Sequence, residues 1–352
     1  MISEGSMSTE NKCPVCGKGK STSSVSAYDC DACGFPDAYV RYFASRTAYD
    51  RWVRAAEAFR QQLEAKEKQQ HMASLRFWLG NNMAAFADLS AQRVTIILSS
   101  GKVQTEENAT AFTANERNYA VLYNTGNVRV FGEDNSFGQK NTEEWGNIAS
   151  IEAAPNCIFG VTKSGKVVCA GAVGDSDVTG WSSMKLLRSG IGFIAGLSTD
   201  GRVKISRNGA ALEEFRTADG WRDIRDLAVS RDCIVGLQSS GTLVFAGRSN
   251  DARRKATEWK DLIAVAADDC YVYGLTKDGM MHAAGTCKPI FDKGRSKVGA
   301  WSGIIALSSC ASGVGAVDEE GNLQFAGFFT GDITRIRKAW NSVTRSGNHA
   351  ET

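Results

Sequence analysis

The chain has 352 residues, 43% of them hydrophobic, which is long enough for one large domain and a small one. Its 41 basic and 39 acidic residues give a formal net charge of +2, so it lacks the overall basic excess that is typical of a nucleic-acid-binding protein. No apolar run approaches the ~18 residues of a membrane helix, and the first five residues lack the hydrophobic stretch of a signal peptide. We therefore expect no membrane association and a cytoplasmic location.

Four of the ten cysteines form a metal-binding pattern near the N-terminus. Two Cys-x-x-Cys-Gly knuckles contain Cys13 and Cys16, then Cys30 and Cys33. Four thiolates complete a tetrahedral shell around Zn²⁺ and leave no open position for water, so the pattern predicts a structural zinc ribbon over residues 12–36. Iron in a rubredoxin-like site uses the same ligands and is one alternative, and a redox role is the weaker one.

The other six cysteines lie mostly in or beside apolar segments, as buried reduced cysteines do. They are Cys157, Cys169, Cys233, Cys270, Cys287 and Cys310.

A helical connector is predicted over residues 37–85, and residues 1–11 before the ribbon are expected to be disordered. Apolar residues recur at helical spacing between Tyr49 and Leu63, with charged residues on the opposite side. A second apolar set, which includes Leu75 and Leu79, continues the pattern until Gly80. The apolar stripe is expected to pack on the ribbon or on the following domain, and self-association through residues 49–63 as a short coiled coil is the alternative.

Seven short turns that end in glycine recur through the rest of the chain, each between two apolar segments. Four residues before each glycine lies an apolar residue, and two residues after it lies another. The pattern predicts β-hairpins, because glycine adopts the positive φ that such turns require. The first gap is 25 residues and the others are 36 to 42, and the glycines are Gly101, Gly126, Gly165, Gly201, Gly241, Gly279 and Gly321.

Tryptophan recurs with the same period. A unit of about forty residues with several short strands predicts a β-propeller, in which each blade is too small to bury its own faces. We expect the tryptophans to fill the seams between blades. They are Trp145, Trp181, Trp221, Trp259, Trp301 and Trp340.

The two ends of the repeat region complement each other. The first glycine unit, around residues 93–103, has no tryptophan segment before it, whereas residues 340–343 form such a segment with no hairpin after it. We expect this C-terminal segment to add the missing strand to the first blade. The sequence therefore predicts a mainly β fold, a closed seven-bladed β-propeller over residues 86–345, with a disordered tail at residues 346–352.

Residues 126–139, Gly-Asn-Val-Arg-Val-Phe-Gly-Glu-Asp-Asn-Ser-Phe-Gly-Gln, resemble the regulator of chromosome condensation repeat, and the resemblance covers roughly residues 86–345. It implies a seven-bladed propeller. Members of that family act by binding: one is a nucleotide exchange factor for a small GTPase on chromatin, and another inhibits a secreted hydrolase. Cys157 and Cys233 stand where the family usually has histidine, which indicates a divergent, bacterial branch. The fold alone does not choose a function.

Charge divides the long loops that follow the hairpins. Loops in the early blades are acidic overall, and those between residues 247 and 340 are basic overall. A face divided in this way would orient a charged partner and speed its encounter, although chance variation between blades is the alternative. The basic candidates for partner binding are Arg248, Arg253, Arg254, Lys255, Lys288, Lys293, Arg295, Lys297, Arg335, Arg337 and Lys338.

Two functional hypotheses of different classes follow. The first is a non-enzymatic protein-binding scaffold that docks a partner on the loop face, with the zinc ribbon as a second docking element. The alternative is a nucleic-acid-associated module that uses the ribbon and the basic half of the face, and a nucleotide exchange factor is a third hypothesis on family resemblance alone. The sequence contains no phosphate-binding loop, nucleophile elbow or His-Glu-x-x-His, and only three histidines, so we predict no catalysis.

Overall fold

The computed structural model describes residues 12–18, 29–36, 38, 45–80, 82–89, 91–173, 178, 180–206, 213–329 and 331–347, with side chains described outside 65–75 and 342–347. The predicted N-terminal segment 1–11 lies outside the described residues. The chain divides into two compact units, which meet in the sequence at Ala73 and Ser74. None of the described helices is long and apolar enough to cross a membrane.

Unit 1 contains the two cysteine knuckles and helix α1 (Arg46–Ser74). Ser45 precedes the helix, and its Oγ accepts a hydrogen bond from the backbone N–H of Ala48 at 3.2 Å, as in an N-cap. The helix is amphipathic, as predicted, and it ends well before Gly80.

Unit 2 begins with a four-stranded antiparallel sheet. Its strands, in spatial order, are β1 (Leu75–Leu79), β2 (Met83–Asp88), β3 (Arg93–Leu98) and β4 (Val103–Glu107).

Six three-stranded antiparallel sheets follow, each with its strands in chain order. They are β5 (Ala109–Ala114), β6 (Asn118–Tyr123) and β7 (Val128–Gly132); β8 (Ile148–Ala154), β9 (Cys157–Thr162) and β10 (Val167–Gly171); β11 (Met184–Ser189), β12 (Ile194–Ser198) and β13 (Val203–Ile205); β14 (Ile224–Val229), β15 (Cys233–Gln238) and β16 (Leu243–Gly247); β17 (Leu262–Ala267), β18 (Tyr271–Thr276) and β19 (Met281–Gly285); and β20 (Ile304–Cys310), β21 (Gly313–Asp318) and β22 (Leu323–Gly327). The short helix α2 (Pro289–Asp292) follows β19, and helix α3 (Ile333–Gly347) follows β22.

Seven apolar clusters connect the seven sheets. Six of them join consecutive sheets, for example Ile96 of the first sheet with Phe112 of the second. The seventh joins Val317 and Leu323 of the last sheet to Phe77 and Leu79 of the first. The sheets therefore form a cycle of blades, each completed by its neighbours, and the predicted seven-bladed β-propeller is confirmed.

Each of the seven seams contains a tryptophan. The six predicted tryptophans lie in six different clusters, and Trp78 of β1 occupies the seam between the first and second sheets. Several of the rings cover a glycine on the middle strand. A Cβ on Gly160 would lie 2.9 Å from Cζ3 of Trp145, and one on Gly196 would lie 2.6 Å from Cζ3 of Trp181. Only glycine leaves room for the indole there.

The C-terminal segment that packs in the seam between the last and first sheets is a helix, so the prediction of a C-terminal strand is wrong. Asp332 starts helix α3 by accepting hydrogen bonds from the backbone N–H groups of Thr334 and Arg335 at 3.0 and 3.1 Å. Ile336 and Trp340, four residues apart, share its buried face. The helix continues through residues 346 and 347, where a disordered tail was predicted; residues 348–352 lie outside the described part.

Strand β1 takes the place that was predicted for the C-terminal segment, so the helical prediction for residues 75–79 is also wrong. Phe77 and Leu79 are buried in the seam with the last sheet, whereas Trp78 packs in the seam with the second sheet. This alternation across two faces is the period of a strand. The backbone N–H of Leu79 donates to Ser308 Oγ of β20 at 3.1 Å, which ties the first blade to the last.

The first turn glycine does not correspond to the others. In later blades the turn carbonyl accepts from the next blade, as Gly126 accepts from the N–H of Ile148 at 2.9 Å. In the first blade the equivalent acceptor is the backbone carbonyl of Gln92, to which the N–H of Ala109 donates at 2.8 Å. Gln92 has a positive φ of 51°. Gly101 instead closes the extra hairpin between β3 and β4, which explains the short first gap.

Candidate functional site

The four cysteines of unit 1 form the candidate metal centre. Their Sγ atoms all lie within 4.8 Å of one another, and the distances Cys13 to Cys33 and Cys16 to Cys30 are both 3.6 Å. Four sulfurs at about 2.3 Å from a tetrahedral ion lie about 3.8 Å apart, so the arrangement fits one Zn²⁺. Iron fits the same four thiolates.

The two knuckles have the same backbone geometry. The N–H of Gly17 donates to the carbonyl of Cys13 at 2.9 Å, and the N–H of Gly34 donates to that of Cys30 at 2.7 Å. Both glycines have a positive φ, 71° and 75°, which favours glycine over other residues. The Cys-x-x-Cys-Gly spacing therefore turns the chain so that two pairs of sulfurs converge.

Burial affects the protonation of two of these thiols. Desolvation raises the pKa of Cys13 and of Cys33, so both hold their protons at neutral pH in the absence of a cation. A bound divalent ion would displace those protons and hold the sulfurs together as thiolates.

Helix α1 covers the ribbon with its apolar stripe. Trp52, Ala56 and Phe59 pack against the cysteines and Phe35, and the ring centroids of Phe35 and Phe59 lie 5.3 Å apart. The guanidinium of Arg60 donates to the carbonyl of Pro14. Three of the residues proposed for a coiled-coil seam are thus used within the unit, which supports packing on the ribbon over self-association.

The basic loop residues do not form one exposed set. Eight of the eleven candidates are exposed, Arg254 is half-buried, and Arg253 and Arg295 are only 4% and 2% exposed. The partner-facing prediction is wrong for these two arginines. The last three candidates lie on helix α3 and not on a loop. The exposed residues are Arg248, Lys255, Lys288, Lys293, Lys297, Arg335, Arg337 and Lys338.

Arg253 links the fifth and sixth blades. Its Nη2 donates to Asp251 Oδ2 at 2.6 Å and to Asp232 Oδ1 at 2.5 Å, and its Nη1 donates to the carbonyl of Asp268 at 3.2 Å. Burial works to raise the pKa of Asp251, but the hydrogen bonds and charge of Arg253 outweigh it and hold that pKa below its ordinary value. The arginine is a structural cross-link.

Arg295 occupies the corresponding place between the sixth and seventh blades. Its Nη1 donates to Oδ2 of the fully buried Asp268 at 2.9 Å, and its Nη2 donates to the carbonyl of Phe291 at 2.6 Å. Tyr273 donates its hydroxyl to the same carboxylate oxygen at 2.7 Å. Burial next to this carboxylate raises the pKa of Tyr273 and keeps the phenol neutral.

Position in the repeat, and not residue type, identifies these two arginines as internal. Phe215, Arg253 and Arg295 all stand six residues before a seam tryptophan, and all three are buried. Alignment on the tryptophans would have shown that the arginines share the position of a core phenylalanine.

An exposed aromatic patch between the last two blades was missed from the sequence. We define it as Ile290, Phe291 and Phe328, which are 66%, 48% and 40% exposed. The rings of Phe291 and Phe328 lie 6.1 Å apart, and Lys293 Nζ lies 5.4 Å from the ring of Phe328. Two of the residues lie in helix α2, within a charged loop, so no periodic signal marked them.

Comparison with solved structures supports the propeller fold. No protein-family model and no curated protein matches the chain. The CRINKLY WD40 ectodomain of the Arabidopsis thaliana receptor kinase ACR4 aligns with a TM-score of 0.53 and 16% identity, over 73% of this chain and 97% of that one. The ectodomain of the Physcomitrella patens receptor kinase CR4 aligns with a TM-score of 0.54 and 15% identity, over 72% and 73%. Prp20p of Saccharomyces cerevisiae aligns with a TM-score of 0.48 and 13% identity, over 77% and 85%.

The likenesses to the two receptor-kinase ectodomains, with TM-scores of 0.53 and 0.54, establish the fold and nothing finer. The chain is a β-propeller preceded by a separate unit with a four-cysteine centre. At such identities the functions of the matched proteins do not transfer.

Proposed function

We propose that the protein is a non-enzymatic scaffold that binds a protein partner through the aromatic patch of the propeller, with the four-cysteine unit as a structural zinc ribbon and second docking element. The exposed pair Phe291 and Phe328 carries this proposal. Exposed apolar clusters rimmed by charge mark interaction sites, and aromatic residues are enriched at their centres.

The patch is pre-formed in the free protein. Buried Arg295 donates to the carbonyl of Phe291, and the N–H of Phe291 donates to the carbonyl of Lys288 at 2.8 Å. Because the loop is already ordered by these bonds, a partner would not have to immobilise it on binding.

The charges around the patch favour an acidic partner. Lys288, Lys293 and Lys297 are exposed on the same loop, and its carboxylate, Asp292, accepts hydrogen bonds from Tyr271 and Ser296. A protein segment with an apolar anchor flanked by acidic residues would complement this surface. The lysines would mainly speed its association.

The experiment begins with a photo-crosslinking residue at position 291 of the full chain in its native cells, to identify the bound molecule. The purified partner is then titrated with a Phe291→Ala, Phe328→Ala variant. The matched control is Ile191→Ala, which removes an equally exposed apolar side chain, 57% exposed, from another blade.

We expect the double variant to bind about tenfold more weakly or worse, because anchor side chains dominate interface energies, with the control within twofold of the parent. Replacement of the three lysines by glutamate should slow association, and added salt should reproduce part of that effect. An equal loss in the Ile191 control would refute the proposal. Cross-links to nucleic acid alone would favour the alternative module.

A further inference from the structure

A pair of cysteines lies beside the buried guanidinium of Arg295. Cys270 precedes β18 and Cys287 follows β19, and both are partly exposed within the seam of the sixth and seventh blades. The Sγ of Cys270 donates to the Sγ of Cys287 over 2.8 Å, where a disulfide bond would be about 2.05 Å. Arg295 Nη2 donates to Cys287 Sγ at 3.1 Å and lies 3.5 Å from Cys270 Sγ.

The two thiols have different surroundings. Cys287 accepts two hydrogen bonds, one from the thiol of Cys270 and one from the guanidinium of Arg295. Burial raises the pKa of Cys270 to about 12, so this thiol keeps its proton and remains a donor. The pair thus places one sulfur beside a cation and, next to it, a thiol that keeps its proton.

Arg295 is held where it can act on Cys287. Asp268 accepts from Arg295, from the hydroxyl of Tyr273 and from the backbone N–H of Tyr271 at 2.7 Å. Its negative charge is therefore shared among several donors, and Nη2 of the guanidinium remains directed at the sulfur.

We propose that Cys287 and Cys270 form a redox modification site, in which a hydroperoxide converts the two thiols to a reversible disulfide. Cys287 gives its proton to solvent as its sulfur attacks the distal peroxide oxygen, the O–O bond breaks, and the leaving hydroxide or alkoxide takes a proton from solvent. Cys287 becomes a sulfenic acid. The sulfur of Cys270 then attacks that of Cys287, the S–O bond breaks, and the departing hydroxide carries away the Cys270 proton as water. Two thiols and one peroxide give one disulfide and two hydroxylic products.

The test uses the full metal-loaded chain and hydrogen peroxide, followed by tryptic mapping without reduction. Cys270 lies in the peptide of residues 261–277 and Cys287 in that of residues 278–293, so the disulfide gives one linked pair. We expect this pair to form at peroxide levels that leave Cys310 unmodified, and a dithiol reductant to reverse it. Cys310 is the internal reference because it is also partly exposed, and burial raises its pKa to about 11.

Two variants assign the roles of the cysteines, after their melting curves confirm folding. In Cys270→Ser the sulfenic acid should persist on Cys287, and because the cation beside its sulfur favours attack on peroxide, dimedone should label Cys287 at least about tenfold more than Cys310 at the same peroxide dose. In Cys287→Ser, Cys270 should not be labelled at the same dose. Equal labelling of Cys287 and Cys310, or the absence of the linked pair while added glutathione is oxidised, would overturn the proposal.

Discussion

The two units of this protein have cores of different kinds. The described core of unit 1 consists of the four cysteines with a few apolar residues, among them Phe35, Ala38 and Ala56. Unit 2 instead repeats an apolar seam seven times, each with its own tryptophan. A small core needs a metal, whereas a repeated core distributes its stability. Loss of one feature should therefore abolish the fold of the first unit and only weaken the second.

Loss of the metal ligands should produce the largest effect. Cys13→Ser with Cys30→Ser should remove one metal ion per chain and unfold the ribbon, since metal binding contributes about 10 kcal/mol or more to folding of such small units. Metal analysis and hydrogen exchange over residues 12–36 measure this, and a strong chelator should reproduce it in the parent.

The matched control is Cys169→Ser, which alters a partly buried cysteine of unit 2 and should retain the ion. The main melting transition of the propeller should not move in the double variant, because unit 2 has its own core. An ion that persists without Cys13 and Cys30 would contradict the ligand assignment.

The second-largest effect is expected at the seam between the last sheet and the first. It tests whether this seam contributes as much stability as the others. Trp340 is 2% exposed, packs edge-on against Phe77 and Phe86 at 5.7 and 5.1 Å, and donates its Nε1–H to the carbonyl of Gly321 at 2.8 Å. Trp340→Ala should lower the free energy of unfolding by about 4 kcal/mol, as for other buried aromatic residues.

Trp181→Ala, in an internal seam, is the comparison for Trp340→Ala. Urea unfolding of unit 2 should show losses of similar size at an unchanged m value. A loss below about 1 kcal/mol for Trp340→Ala alone would mean that the ring does not depend on helix α3.

Local and periodic signals were sufficient for much of the architecture. The candidate metal centre follows from cysteines only three positions apart, and the blades follow from a repeated turn and tryptophan. The two ends of the propeller were predicted incorrectly, because strand β1 and helix α3 replace the repeat there. Trp340 was predicted at the correct position of the repeat but in a strand, whereas it lies in helix α3. The carbonyl of Gly321 accepts a hydrogen bond from the indole N–H of Trp340, whereas the carbonyl of Gly126 accepts one from a backbone N–H.

The candidate site was harder to predict, because burial depends on tertiary position. Arg253 and Arg295 were counted as surface charge from their residue type, yet their partners Asp232 and Asp268 lie 21 and 27 residues away in the chain. Phe291 and Phe328 meet across two blades, a contact that no local pattern encodes. Contacts of this kind can be identified only when the fold is known.

The smallest effect on stability is expected between the fifth and sixth blades, where Arg253 is paired with two carboxylates. Arg253→Met should lower the free energy of unfolding by about 3 kcal/mol, because it leaves the half-buried carboxylates of Asp251 and Asp232 unpaired. Arg248→Met, at an exposed neighbour, should be nearly neutral.

The pH dependence of stability distinguishes this loss of an ion pair from a simple loss of packing. In the parent, the pKa of Asp251 is lower in the folded state than its ordinary value of 3.8, so the unfolded chain binds more protons. The contribution of this carboxylate is therefore complete above about pH 4 and is lost as the pH falls through the folded pKa.

Without Arg253, burial should raise the pKa of Asp251, and the sign of the pH dependence reverses: acidification should then recover stability relative to the parent. Urea unfolding between pH 3 and 6 measures both slopes. Parallel curves for the parent and Arg253→Met would show that the arginine acts by packing alone.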